Sequence, residues 1–420
     1  MTASASLFVA LRFLLGRGRE GGRYLRGAAF GIAVSLVPIV VTLVVADGMI
    51  RGITERYLEL GTGHLEVYGR SSHGEIATQA AAVSSVIGVR GAWPERQGLG
   101  IIVGKTGKSG ATVRALAPGF LADEGTRRYL KTIEGVAVLE APNDALLGEE
   151  LARKIGAKAG DTVRLMTART TSDGRTVPRV APFVVRGIVS SGYRELDALW
   201  FLVRYDTGLR VLASEASRTF LAVKIDDPYG GSDEKAAAVA SALGPDYSVY
   251  TWSELQRSQY RSFESTRQLL LFIMALVVLV AAVNVASATS MLVVERRRDI
   301  AVLKSFGADR RGTTRIFVLG ALLAGAMGSV FGISAGLLIA NNINGIIHGV
   351  DAALAFFARG QGTAPKLLDP AYYLESIPVV IDWSAIGAIG LFTIGLSALA
   401  AWVPARRAGK LVPHVILRKY

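Results

Sequence analysis

Residues 267–315 read RQLLLFIMALVVLVAAVNVASATSMLVVERRRDIAVLKSFGADRRGTTR. No charge occurs between Arg267 and Glu295, and then ten of the next 21 positions are ionisable. Crossing about 30 Å of hydrocarbon takes roughly 20 apolar helical residues. The run 268–294 therefore spans a membrane, and the charged stretch behind it, 295–315, stays in water. Three further runs share this character: one between Arg26 and Asp47, one uncharged from Arg315 to Asp351, and one between Asp382 and Arg406. In the last, Trp383 and Trp402 lie 19 residues apart, roughly 28 Å along a helix, which sets an indole at each interface. The expected spans are 27–46, 268–294, 316–345 and 383–405. They separate an N-terminal segment 1–26, a large segment 47–267, the loops 295–315 and 346–382, and a tail 406–420.

Composition supports this division. Of 420 residues, 51% are apolar and 19% charged, where a soluble domain carries about 25% charged. Neither a disordered chain nor a soluble two-domain enzyme fits. Cysteine is absent, which excludes disulfides, thiolate zinc sites and cysteine nucleophiles. The net charge of +13 is unevenly spread. Residues 1–26 carry five Arg and one Glu, 295–315 seven basic and three acidic residues, and 406–420 five basic and no acidic ones. The segment 47–267 carries 28 basic and 26 acidic residues, and 351–382 two and four. The excess lies in the segments on one side of the membrane, which the positive-inside rule assigns to the cytoplasm. Both termini are expected inside and 47–267 outside. Topology accounts for the basic residues, so no nucleic-acid partner is called for. The first span lacks a small-x-small cleavage site and reads as a retained anchor. Ahead of it Leu7, Phe8, Leu11, Leu14 and Leu15 share a face near Arg12, Arg17 and Arg19, the pattern of an amphipathic helix lying on the leaflet or packed on the bundle.

The outside segment reads as α+β. Asp47–Leu60 and Trp252–Arg267 continue the first two spans as helical stalks. Strands are expected at His64–Tyr68, Leu99–Val103, Ala111–Leu116, Thr162–Thr167, Pro182–Val189 and Phe220–Ile225. Helices are expected at Ile76–Ile87, Leu147–Ile155 and Asp233–Leu243. Gly104-Lys105-Thr106 and Gly107-Lys108-Ser109 suggest a phosphate loop, but the required preceding glycine is replaced by Leu99 and Ile102, so both read as a hairpin turn. The four histidines are scattered, His64 and Glu66 read as a surface contact, and no hydrolase elbow is present. Nothing marks an enzyme, a metal site or a bound cofactor.

Three features of the membrane part stand out. Pro38 marks a kink in the first span, and Asn284 in the second reads as helix–helix glue. In the third, Gly320, Ala324, Gly328, Gly332 and Gly336 recur every four residues, a small-residue face that serves either a sliding interface or static packing. In the loop 295–315, Ile300, Leu303 and Phe306 fall on one helical face. Gly307 stops that helix, and Asp309 caps the next. A short charged helix with three apolar knobs suits docking into a groove on a cytoplasmic partner; lipid headgroups are the alternative.

The stretch Glu295–Gly307 resembles the hallmark loop of the FtsX-like ABC transporter permeases, and within them the lipoprotein-releasing branch (the LolC/LolE type). Gly31-Ile32-Ala33 to Asp47-Gly48-Met49, Leu147–Ala152 to Gly160–Val163, Tyr373-Leu374 to Ile377-Pro378, and Pro404–Ala408 to Pro413 resemble further motifs of that family. The resemblance implies a four-helix membrane bundle with an inserted α+β domain of the MacB-like periplasmic core type, in the bacterial inner membrane. It implies a separate cytoplasmic ABC ATPase that binds ATP and magnesium, a second permease subunit, lipoprotein cargo and a periplasmic lipoprotein carrier. Arg297, Arg298, Asp299, Ile300, Leu303, Phe306 and Gly307 would then dock the ATPase. Val44, Met49, Ile50, Ile53, Phe263, Leu269, Leu270 and Ile273 would line the cargo path. A hairpin within Met166–Gly187, with Arg175, Pro178 and Arg179, would meet the carrier. A signalling scaffold for cell-wall hydrolases and an exporter of a hydrophobic drug or peptide are the alternatives within the same superfamily.

Overall fold

The computed structural model describes residues 8–11, 21–69, 75–170, 176–213, 216–357 and 377–412. The amphipathic expectation for the N-terminal segment (apart from Phe8 and Leu11), Arg175, Tyr373-Leu374 and the tail from Pro413 lie outside them. The chain divides into two units. One comprises residues 1–48, 263–350 and 377–420, the other 49–262 and 351–376.

The elements in chain order begin with helix α1 (Gly21–Arg56), which passes into a π-helical turn at Tyr57–Thr62. Then come β1 (Leu65–Gly69), α2 (Glu75–Ser84), β2 (Val89–Val103), β3 (Lys108–Leu116), α3 (Glu124–Tyr129), β4 (Lys131–Gly135) and β5 (Asp144–Gly148). They are followed by α4 (Glu149–Ile155), β6 (Thr162–Thr170), β7 (Thr176–Ser190), α5 (Arg194–Asp197), β8 (Trp200–Arg204), α6 (Tyr205–Val211) and β9 (Arg218–Ile225). The remainder are α7 (Ser232–Leu243), β10 (Tyr247–Thr251), α8 (Trp252–Leu255), α9 (Arg257–Glu295), α10 (Arg297–Ser305), α11 (Arg310–Asn341), α12 (Ile343–Phe357) and α13 (Trp383–Gly409).

The second unit is built on a mixed sheet of order β10-β1-β9-β2-β3-β8-β5-β7-β4, with β6 pairing β2 and β7. The β3–β8 and β5–β7 pairs are parallel. Its core gathers Ile102, Val113, Leu147, Leu151, Phe183, Val185 and Phe201, with the Phe183 and Phe201 rings edge to face at 5.3 Å. Where a helix is expected from Leu147, the structure has β5 up to Gly148. Every residue of β5 is buried, because it lies between β7 and β8 and a central strand has no solvent face to show polar alternation. The helix starts only at Glu149. Glu149 and Glu150 occupy its first turn, Arg153 and Lys154 its last, and Gly156 at φ +66° closes it, in keeping with the helix dipole and a left-handed cap. The Gly104–Gly107 turn joins β2 to β3, and its Thr106 N–H donates to the Ile155 carbonyl, so the phosphate-loop look-alike is a hairpin turn seated on α4. His64 and Glu66 are buried, not surface groups. The helix expected from Trp252 to Arg267 is broken at Gln256: Thr251 and Glu254 form a capping box for the single turn α8, and α9 restarts at Arg257.

In the first unit, α1, α9, α11 and α13 each carry a segment long and apolar enough to cross a membrane. Asp309 accepts from the Gly312 N–H, so α11 begins at Arg310 and not at 316. It ends at Asn341, and α12 follows where a loop was expected. The small-residue face of α11 is occupied by α1 of the same chain. A Cβ at Gly328 would lie 2.6 Å from the Ala29 carbonyl oxygen, at Gly332 2.8 Å from that of Ala33, and at Gly336 2.8 Å from Val40 Cβ. Gly320 faces Leu25, and Ala324 is fully buried. A second face meets α13, where a Cβ at Gly325 would lie 2.9 Å from Ser397 Cβ. Static packing within the chain therefore accounts for the stripe. Asn284 is exposed on α9, and among the described residues no hydrogen bond from it joins two helices. At the far end Arg267 ties three helices together. Its Nε lies 3.0 Å from Asp47 Oδ1 and its Nη2 3.0 Å from Asp382 Oδ2, while Asp382 caps α13 through the Ser384 and Ala385 N–H groups. Beside them a Cβ at Gly48 would sit 1.9 Å from the Pro378 carbonyl oxygen, so only glycine fits there.

Gly332→Leu is expected to destabilise the first unit by about 2 kcal/mol or more, because backbone of α1 blocks the new side chain. Gly387→Leu, with nothing within 4 Å of its Cβ position, is expected to be tolerated. The monodisperse fraction of detergent-solubilised full chain after graded heating measures both; equal behaviour would remove the close-packing claim.

Candidate functional site

The charged loop forms α10, nine residues between α9 and α11. Its stop is a Schellman motif, the Gly307 N–H donating to Lys304 O and the Ala308 N–H to Leu303 O, with Gly307 at φ +91°, a conformation that favours glycine. One side of α10 is spent on its own bundle. Ile300 and Ala301 are buried, and Ile300 joins a cluster with Leu25, Leu292, Val293, Phe317, Ala405 and Ala408. The Lys304 ammonium donates to the carbonyls of Gly409 and Leu411 at 2.7 Å each, stapling α10 to the end of α13. Ile300 is therefore unavailable to a partner, and this corrects its assignment as a docking knob. Leu303 is half-buried.

The outward face is different. Phe306 is 88% exposed and Val302 41%, and Arg297, Arg298 and Asp299 are exposed. Asp299 pairs with Arg296 at 2.8 Å. Arg298, Val302 and Phe306 follow at intervals of four, one face of a helix. Val302 was missed in the sequence, although its spacing to Phe306 carries the signal. Phe306 thus stands 88% exposed at the helix stop, one turn beyond Val302 and two beyond Arg298.

The residues proposed for a cargo path divide. Val44 and Ile53 are buried within the chain. Met49, Ile50, Phe263 and Leu270 are half-buried, while Leu269 and Ile273 are exposed on α9 beside Phe272 and Leu276. The β6–β7 hairpin pairs Thr167 with Arg179 and Ala168 with Pro178; Arg175 lies outside the described residues. Arg179 donates to the Arg210 carbonyl at 2.8 Å and Thr167 to that of Val211 at 2.8 Å, so α6 braces the hairpin. Pro178, Leu99 and Ile101 line a groove of about 440 Å³, with Leu99 81% exposed.

A buried charge cluster at the end of the π-helical turn was not legible beforehand. Lys224 in β9 is fully buried. Its ammonium lies 2.6 Å from Asp123, 3.1 Å from Glu59 and 2.8 Å from the Thr126 hydroxyl, over the Phe120 ring at 4.9 Å. Glu59 also meets Arg90 at 2.6 Å and His64 Nε2 at 3.3 Å. His64 Nδ1 lies 2.9 Å from the Ile225 nitrogen and 3.0 Å from its carbonyl oxygen. Arg114 binds Glu95 at 2.6 Å and donates to the Leu60 carbonyl. The turn that follows α1 is thus clamped to the sheet by a paired set of buried charges. Burial acts to raise the Asp123 carboxyl, but the Lys224 ammonium beside it holds it below its ordinary value. The sequence signal is a lysine inside the apolar run Phe220–Ile225. Among the described residues no group of His, Cys, Asp and Glu is arranged to hold a metal ion.

Comparison with known proteins agrees with this division. The family described as MacB-like periplasmic core domain matches residues 27–244, and that described as FtsX-like permease C-terminal matches residues 271–413. The chain is 24% identical over 418 residues to the lipoprotein-releasing system transmembrane protein LolC of Xylella fastidiosa, covering 98% of each chain. It is 24% identical over 422 residues to LolC of Neisseria meningitidis serogroup B, covering 99% of each. To the lipoprotein-releasing system transmembrane protein LolE of Haemophilus influenzae it is 25% identical over 290 residues, covering 68% of this chain and 67% of the other.

Asp123→Asn removes a charge from Lys224 and is expected to destabilise the second unit by about 3 kcal/mol at neutral pH. Because the folded Asp123 value is depressed, its contribution is present above the unfolded value, about 3.9, and is lost as pH falls through the folded value. The difference between wild type and variant should therefore shrink on acidification. Denaturant midpoints of the full chain, followed by tryptophan fluorescence between pH 3 and 7, test this; a pH-independent difference would contradict it.

Proposed function

The chain belongs to the MacB-like periplasmic core domain family, with an FtsX-like permease C-terminal region, and on that premise we propose that it is a permease subunit of a lipoprotein-releasing ABC transporter. It works as a non-enzymatic transmitter. The full-length similarity to lipoprotein-releasing transmembrane proteins supports the cargo class. The charge asymmetry supports cytoplasmic termini and a periplasmic second unit. ATP is bound with magnesium and hydrolysed in a separate cytoplasmic ATPase, and a second permease subunit completes the membrane part.

The observation that carries the reading is the outward end of α10. Phe306 and Val302, with Arg297, Arg298 and Asp299 around them, enter the ATPase, while Ile300 and Lys304 hold α10 to the bundle. Force applied at Phe306 reaches α9, α11 and α13 through packed contacts and two hydrogen bonds. At the other end, exposed α9 residues such as Leu269 and Ile273 offer apolar surface to acyl chains, whose removal from lipid costs about 0.8 kcal/mol per CH2. Three chains therefore require coupling to hydrolysis. The groove at Leu99, Ile101 and Pro178 suits an apolar edge of the periplasmic carrier.

Phe306→Asp combined with Val302→Asp is expected to weaken ATPase association roughly thirtyfold, the scale of a lost interface hot spot, and to abolish lipoprotein release from proteoliposomes while the second unit stays folded. Co-purification with the ATPase and transfer of a labelled lipoprotein to a soluble carrier measure the two effects. Unchanged association would remove α10 as the docking element; release of a drug or a hydrolase signal in place of lipoprotein would remove the cargo assignment.

A further inference from the structure

A cavity of about 980 Å³ opens between the first turns of α11 and the last turns of α13. Arg310, Arg311, Arg315 and Arg406 line it, and no acidic residue does. All four arginines are exposed, and among the described residues none is held in an ion pair. Arg406 stacks on Trp402, its guanidinium carbon 4.8 Å from the ring centroid. The deeper wall is apolar: Val318 and Leu319 lie two turns along α11 from Arg310, roughly 12 Å into the span.

We propose that this cavity binds an anionic phospholipid of the leaflet on the α10 side, its phosphate among the four guanidiniums and an acyl chain along Val318, Leu319 and Trp402. Arginine forks match phosphate oxygens, and basic recesses between membrane helices recruit anionic headgroups. A free phosphate would satisfy the arginines and leave the apolar wall bare. An acidic protein surface cannot follow that wall into hydrocarbon. Only an amphiphile uses both halves of the site. The site's chemistry stands apart from the transport reading, on which only the leaflet's cytoplasmic identity rests.

The test uses the full-length chain in detergent and native mass spectrometry with added phosphatidylglycerol, cardiolipin, phosphatidylethanolamine or inorganic phosphate. The anionic lipids should be retained over phosphatidylethanolamine, and inorganic phosphate should not displace them. Arg315→Gln with Arg406→Gln should weaken retention roughly thirtyfold, at about tenfold or less per arginine near a headgroup. Arg407→Gln with Lys410→Gln removes the same charge from residues outside the cavity at the end of α13, and should leave retention unchanged. Equal loss in both variants would reduce the effect to general surface charge and overturn the site. Equal retention of phosphatidylethanolamine, or displacement by inorganic phosphate alone, would also overturn it. Retention unaffected by the first pair would assign those arginines to an acidic protein partner and overturn it as well. The zwitterionic comparison needs no variant, so the proposal can fail even if a substitution disturbs folding.

Discussion

The arrangement of the membrane unit depends on how closely α11 and α1 approach. Lipid tails are as apolar as leucine, so helices inside a bilayer gain little from hiding apolar surface and associate through packing and polar contacts. Gly328, Gly332 and Gly336 bring α11 onto the backbone of α1, while Gly325, on another face, admits Ser397 of α13. Because α11 is pinned on two sides, the pocket formed by Leu25, Phe317 and Ala405 has a defined shape, and Ile300 of α10 fills it. The seating of α10 is thus a consequence of glycines two or more turns deeper in the span.

Charge is handled differently in the two units. At one end of the membrane unit, Arg267 is neutralised by Asp47 and Asp382, joining α9 to α1 and to the cap of α13. In the second unit, Lys224 is buried with two carboxylates, a hydroxyl and an aromatic ring; an ammonium so enclosed is tolerable only with partners of that quality. The π-helical geometry of Tyr57–Thr62 offers Glu59 to that ammonium and the Leu60 carbonyl to Arg114. Such turns recur at functional sites, and here the turn is where a helix is fastened to a sheet.

What could be read from residues alone follows physical scale. The four apolar runs were legible because span length is a property of composition over twenty positions, and Gly307 and Asp309 because caps obey local geometry. β5 was not, since a strand buried on both faces has no alternation to betray it, and its apolar end at Leu147 runs straight into the helix behind it. α10 was half legible. The spacing of Ile300, Leu303 and Phe306 correctly announces a helix with an apolar stripe, but periodicity cannot say whether a stripe faces a partner or the chain's own bundle. Here it is divided, Ile300 inward and Phe306 outward. Lys224, Glu59 and Asp123 lie at least 64 positions apart in every pairing, so only the sheet topology brings them together.

The same arginines serve more than one physical purpose. Positive charge flanking a span fixes its orientation whether or not it is neutralised afterwards, so topology alone would allow each arginine a carboxylate partner. Arg296 has one in Asp299. Arg310, Arg311, Arg315 and Arg406 instead converge, among the described residues without an acid, on a recess whose floor is Val318 and Leu319. Leaving guanidiniums unpaired at the mouth of an apolar recess concentrates positive potential there. In a bilayer with anionic lipid, that potential is answered by headgroup phosphate, and the orientation signal becomes an anchor for the helices that carry it.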